Sequence, residues 1–174
     1  SSGWKWLLGP IGCGLLHVSA SLRAKLNPVL VGAETMRQGT DYLNHAWDPF
    51  ESAKRFEYST SPVALAAALD CCIRDIALRE GIEAIRDEVF RLQEVFLSNL
   101  RAPALRPALP DGALRSPILS LAYSGDSNDL RRRLLKEKVV VTERGGYLRI
   151  APHFYNTDEQ MQRAAELCNR LTSS

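Results

Sequence analysis

The chain holds only four cysteines and three histidines in 174 residues, and that scarcity excludes several classes of protein. Cys13, Cys71, Cys72 and Cys168 form neither a CxxC pair nor a Cys/His metal spacing, so a zinc framework and a disulfide scaffold are both ruled out as organising principles. No metal is expected. Adjacent Cys71 and Cys72 in a helical pattern suit a reducing, cytoplasmic compartment, and the four cysteines are expected as thiols, mostly buried. A dominant charge is missing too: 22 basic residues offset 20 acidic ones to leave a formal charge of +2. No global field therefore points to nucleic acid or an anionic membrane. Long apolar runs are absent, none reaching the roughly 18 residues that a membrane-spanning helix needs. Residues 5–20 imitate a secretory leader, with Lys5, an apolar stretch and Val18-Ser19-Ala20. However, Gly9, Pro10, Gly12 and Gly14 interrupt the apolar stretch.

What is present is the composition of a globular protein, 45% hydrophobic and 24% charged, long enough to bury a core. Residues 6–18 alternate Leu8, Ile11 and Leu15-Leu16 with glycines, which predicts a turn followed by a short buried strand. Residues 27–59 lack a sustained period and read as a long loop holding at most one short helix. Ser61-Pro62 predicts a helix start with the serine as cap. The apolar period through Leu65, Leu69, Cys72, Ile73, Ile76, Ile82, Ile85, Val89, Leu92, Phe96 and Leu100 predicts two helices, or one kinked helix, broken at Gly81. Residues 102–117 carry four prolines and a glycine and read as a connector.

Beyond it the pattern predicts a compact α+β unit in the order strand, helix, strand, strand, helix. Its strands are residues 118–123, 139–142 and 147–151. Ser127-Asn128-Asp129 caps its first helix, Gly145-Gly146 makes a tight turn, and Thr157 with Gln160 forms a capping box. Arg131, Arg132 and Arg133 alternate with Leu130, Leu134 and Leu135 and form a solvated helix face rather than a nucleic-acid patch. His153, beside Pro152, reads as a structural loop histidine.

Lys5 lies between Trp4 and Trp6 in a Gly/Pro-punctuated apolar run. A lysine in such a setting is expected to be desolvated, which makes its amine nucleophilic toward a carbonyl. Lys25, Lys54, Lys136 and Lys138 lack that setting.

Three separated motifs carry a family resemblance. Ser2-Gly3-Trp4-Lys5-Trp6-Leu7-Leu8-Gly9-Pro10 resembles the cofactor-lysine motif of the class V aminotransferases. Arg55-Phe56-Glu57-Tyr58-Ser59-Thr60 resembles the mid-chain motif of that family, and Leu148-Arg149-Ile150-Ala151-Pro152-His153-Phe154-Tyr155-Asn156 its C-terminal motif. These are pyridoxal 5'-phosphate (PLP) enzymes of fold type I, cysteine desulfurases and isopenicillin epimerase-like proteins among them.

The resemblance implies an α/β fold: the end of a large cofactor domain with linking helices (1–101), a connector (102–117) and a small α+β C-terminal domain (118–174). It also implies that the chain is the C-terminal half of the family's usual length. By the same resemblance, Lys5 forms the internal aldimine with PLP and is catalytic. Ser2 and Thr60 touch the cofactor phosphate, Thr60 doing so in the neighbouring subunit of a homodimer, and Arg149 grips the carboxylate of an amino acid or amine substrate. The implied reaction is transfer of an amino group. Lyase or epimerase chemistry in the full-length form, and a truncated non-catalytic dimerising module, are the alternatives. Desulfurases place a nucleophilic cysteine shortly before the carboxylate-binding arginine, and no cysteine occurs here between Cys72 and Cys168.

Overall fold

The computed structural model describes residues 1–109 and 115–173, which form two compact units, Ser1–Arg79 and Glu80–Ser174.

The first unit is mostly loop. Its opening segment folds back on itself: the Ser1 amino group donates to Leu15 O at 2.7 Å, the Leu15 amide to Ser1 O at 2.8 Å and the Gly3 amide to Cys13 O at 2.9 Å. The buried strand predicted in residues 6–18 does not form. Only a single bridge joins Ser2 and Gly14, and Ile11 and Leu16 are 78% and 73% exposed, because the glycines favour loop closure over a ladder. A one-turn helix α1 (Ala20–Arg23), unforeseen in the sequence, is capped by Ser19. Two 3₁₀ turns, Ala33–Thr35 and Ala53–Phe56, occupy the long loop.

Helix α2 (Val63–Cys72) follows and passes into a wider π-type segment, Ile73–Leu78. Its N-cap is Pro62, and no side chain caps the first turn, so Ser61 does not play the expected part. The buried apolar residues of this unit are few, Val18, Leu69 and Ala77. Polar anchoring compensates: fully buried Thr35 donates its hydroxyl to Glu57 O at 3.1 Å and accepts from the Gly32 amide at 3.2 Å.

The second unit opens at Gly81, whose φ of +88° is open to glycine at little cost and marks the foreseen break. Helix α3 (Ile82–Asn99) buries Ile85, Val89, Leu92, Gln93 and Phe96 along one stripe. That stripe makes α3 part of the C-terminal unit, so the boundary between units falls at Arg79 and Glu80, within the stretch assigned from sequence to the first domain.

A four-stranded antiparallel sheet has the order β1-β2-β4-β3, with β1 Leu105–Pro107, β2 Leu119–Tyr123, β3 Thr142–Arg144 and β4 Tyr147–Ile150. Strand β1 lies inside the segment read as a connector, and residues 110–114 of that connector lie outside the described residues. Its proline is tolerated because β1 is an edge strand. Strand β3 begins at Thr142, three residues later than the start predicted at 139. Gly145 and Gly146, with φ of +61° and +86°, make the two-residue turn from β3 to β4.

Helix α4 (Ser127–Lys136) is capped by Asp126, which accepts from the Asn128 and Asp129 amides at 2.8 and 3.2 Å. Ser127, the expected cap, instead donates its hydroxyl to Gly146 O at 2.6 Å. Leu130 and Leu134 are buried, whereas Leu135 faces solvent. Helix α5 (Asp158–Thr172) carries the predicted Thr157–Gln160 capping box. Leu92, Phe96, Leu105, Leu121, Leu130, Leu134, Leu148, Ala165 and Cys168 share one core, where each large side chain contributes about 1.5–3 kcal/mol. The cysteines are free, but only Cys168 is buried; Cys13 and Cys72 are half-buried and Cys71 is exposed.

Candidate active site

The lysine loop is closed at its base by the Ser1–Gly3 and Cys13–Leu15 pairing and cinched by the Gly9 amide donating to Gly3 O at 2.9 Å. Its glycines let it lie against α2. A methyl group built on Gly3 would sit 2.8 Å from Leu69 Cδ1, and one built on Gly9 2.6 Å from the same atom. Leu69 is only 2% exposed as a result. Cys72 adds a tether one turn on, its thiol donating to Leu8 O at 3.4 Å.

Lys5 stands on the outward side of this loop. Its Nζ lies over the Trp4 ring, 4.8 Å from the centroid, and the side chain is exposed. The burial expected of Lys5 between two tryptophans is therefore not found in this chain: the loop's inward face is taken by its glycines packing on Leu69, and Lys5 is exposed with its amine over Trp4. Ser2 is exposed at the base of the same loop, paired with Gly14.

Thr60 lies just ahead of α2. The segment before it is held by backbone contact: Gly32 passes so near Tyr58 O that a methyl group at Gly32 would collide with it, and Thr35 binds Glu57 O. Arg55 donates to Arg23 O at 3.4 Å. Thr60, Ser61 and Pro62 then lead into a helix whose first turn lacks a side-chain acceptor, and the freed amides with the helix dipole favour an anion there. A cleft of about 430 Å³ opens beside this junction, walled by Gly12, Cys13, Phe56, Glu57, Ser61 and Ala66. Ser2, Lys5 and Thr60 thus belong to one unit, with the lysine loop seated on the helix that Thr60 precedes.

Arg149 lies in the second unit, in the middle of β4 between buried Leu148 and Ile150. Its register partners are Ser120 on β2 and Thr142 on β3, so it projects from the sheet face opposite the core. His153 is buried, its Nδ1 accepts from the Phe154 amide at 3.0 Å, and its ring stacks on Tyr155. Sequence reasoning missed the positioning parts played by Gly3, Gly9, Leu69 and the Gly32–Thr35 turn. The glycine spacing around Lys5 hinted at the first pair, but nothing local to Leu69 or Gly32 named its partner.

The family model for aminotransferase class V matches residues 1–164, and the chain belongs to that family, whose cofactor is PLP. The chain is 28% identical over 166 residues to the uncharacterized aminotransferase YcbU of Bacillus subtilis, covering 93% of this chain and 42% of that protein. It is 29% identical over 198 residues to isopenicillin N epimerase of Streptomyces clavuligerus, covering 98% of this chain and 46% of that protein. The fold is shared with the apo structure of a cysteine desulfurase from Thermococcus onnurineus, with a TM-score of 0.83, 21% identity and coverage of 99% of this chain and 46% of that one. The chain therefore spans less than half the length of the relatives it matches. Among the described residues, no helix is long and apolar enough to cross a membrane.

Proposed function

We propose that this chain supplies the covalent lysine, a phosphate contact and the carboxylate clamp of a PLP-dependent aminotransferase acting on an amino acid or amine. The observation that carries the reading is the lysine loop, locked on α2 through Gly3, Gly9 and Leu69 with the amine outward; the start of α2 beside Thr60, which no side chain caps, would serve the phosphate bound in a neighbouring subunit. An accessible amine beside the Ser2 hydroxyl, with Thr60 and a helix start that lacks a side-chain cap contributed from a second subunit, suits a phosphorylated aldehyde. Bound PLP supplies the electron sink that stabilises charge at the substrate Cα.

In this reading Lys5 Nζ would hold the cofactor and, once the substrate amine displaces it, would act as the base that moves the proton off the substrate Cα. Positioned bases of that kind contribute roughly 10²- to 10⁴-fold. Ser2 and Thr60 orient the phosphate, Thr60 from the neighbouring subunit of a homodimer. The planar fork of Arg149 fixes the substrate carboxylate, a contact on the order of 1.5–3 kcal/mol. Sulfur transfer is disfavoured because no cysteine lies between Cys72 and Cys168.

Borohydride reduction of the complete gene product loaded with PLP, followed by peptide mapping, tests the assignment. A pyridoxyl adduct on Lys5 is expected, with T60A weakening PLP binding about tenfold. An adduct on another lysine, or none, overturns the catalytic reading.

A further inference from the structure

Arg149 does not stand alone on its sheet face. Strand pairing aligns Arg106, Ala122, Tyr147 and Arg144 in one row across β1, β2, β4 and β3, and Ser120, Arg149 and Thr142 in the next. Alternation along each strand turns all seven side chains away from the core that holds Leu121, Leu148 and Ile150. The face thus carries three arginines. Among the described residues no carboxylate pairs with Arg106, Arg144 or Arg149, and no acidic residue shares their rows.

Arg144 and Arg149 are diagonal neighbours on the hairpin that Gly145 and Gly146 close, a relationship that separates two residues by about 7–8 Å. Two long guanidinium forks at that spacing, Arg144 exposed and Arg149 half-buried, reach two acid groups a few carbons apart. Arg106 is three strands from Arg144, about 14 Å at the usual strand spacing, and is too distant to share a small ligand with it. Like charges so placed repel one another, and a ligand with a second anionic group relieves the repulsion.

We propose that Arg144 is a specificity-determining residue that binds a second acid group, so that the substrate is a dicarboxylic amino acid. The inference rests on the reading of Arg149 as the clamp for the first carboxylate. The tight hairpin turn keeps the two arginines in register, and the planar fork of Arg144 suits the second carboxylate in a way that a lysine at that position does not.

Calorimetry on the PLP-loaded complete protein tests this with glutarate and pentanoate, five-carbon acids that differ in the second carboxylate. The native protein is expected to bind glutarate roughly ten- to a hundredfold more tightly. R144A is expected to abolish that preference while leaving pentanoate binding unchanged, and R144K to retain part of it. Circular dichroism serves to verify that each variant folds. No preference in the native protein, a preference that survives R144A, or no binding of either acid overturns the proposal. R149A separates the two readings: it is expected to weaken both acids. If pentanoate binding is unaffected by R149A, the Arg149 assignment fails, while the effect of R144A on glutarate is still read independently.

Discussion

Leu69 on α2 occupies the space that a side chain at Gly9 would need: a methyl group there would lie 2.6 Å from Leu69 Cδ1 and 3.0 Å from Gly3 O. The lysine loop and the helix are therefore fitted to each other through a missing Cβ. G9A is expected to destabilise the first unit by about 1–3 kcal/mol, the usual cost of overpacking. Combining G9A with L69A should cost less than the sum of the two single changes, because the cavity accepts the new methyl group. Chemical denaturation of the four proteins checks the coupling, and strict additivity would mean that the contact does not hold the loop.

Asn169 closes the end of α3 from α5. Its Oδ1 accepts from the Arg101 and Ala102 amides at 2.7 and 2.9 Å, and its Nδ2 donates to Asn99 O at 2.9 Å. N169L strands two donors and an acceptor, and a loss of roughly 2–3 kcal/mol is expected. N169D keeps the acceptor and should lose less. Urea unfolding of both variants distinguishes this from simple loss of volume.

Arg91 on α3 bridges Glu88 and Asp158, with N···O distances of 2.7 and 2.6 Å. Hydrogen bonds from the Arg91 guanidinium hold both carboxyls below their ordinary range. A carboxyl that titrates lower in the folded state contributes stability that is whole above its unfolded value and is lost as the pH falls through its folded value. The thermal midpoint should therefore drop on acidification through and below the usual carboxylate range, and R91M should show a shallower drop. These groups are solvent-exposed, so the effect is also expected to weaken in high salt.

Burial pushes the Cys168 thiol up to about 12, whereas Cys71 is exposed. Brief treatment of the folded protein with iodoacetamide near pH 8 should modify Cys71 first and leave Cys168 intact until denaturant is added. Mass spectrometry of the labelled peptides reads the order. Equal rates would mean that α5 does not stay packed.

Much of the second unit is legible in the amino-acid sequence. The heptad-like stripe of α3, the Gly145-Gly146 turn and the Thr157–Gln160 box depend on residues three or four apart, or adjacent, so local rules reach them. The helix caps expected at Ser61 and Ser127 do not form, because a serine near a helix start has several partners to choose from. The acceptor for Ser127 is Gly146 O, nineteen residues away. Strand β1 is hidden in the sequence by prolines that an edge strand tolerates. The expected burial of Lys5 fails because flanking tryptophans do not say which side of a loop faces inward.

The order and spacing of the Lys5, Thr60 and Arg149 motifs, the helix periods and the absence of a cysteine before Arg149 are properties of the linear chain. They determine family and cofactor class, because residue identity at fixed intervals is all that these inferences need. Only the tertiary structure seated the lysine loop on Leu69, left the first turn of α2 uncapped beside Thr60 and put Arg144 on the same open sheet face as Arg149. Those outcomes depend on strand register and on van der Waals contact between segments as many as sixty-six residues apart, from Gly3 to Leu69. Long-range packing of that kind leaves no local mark in the sequence.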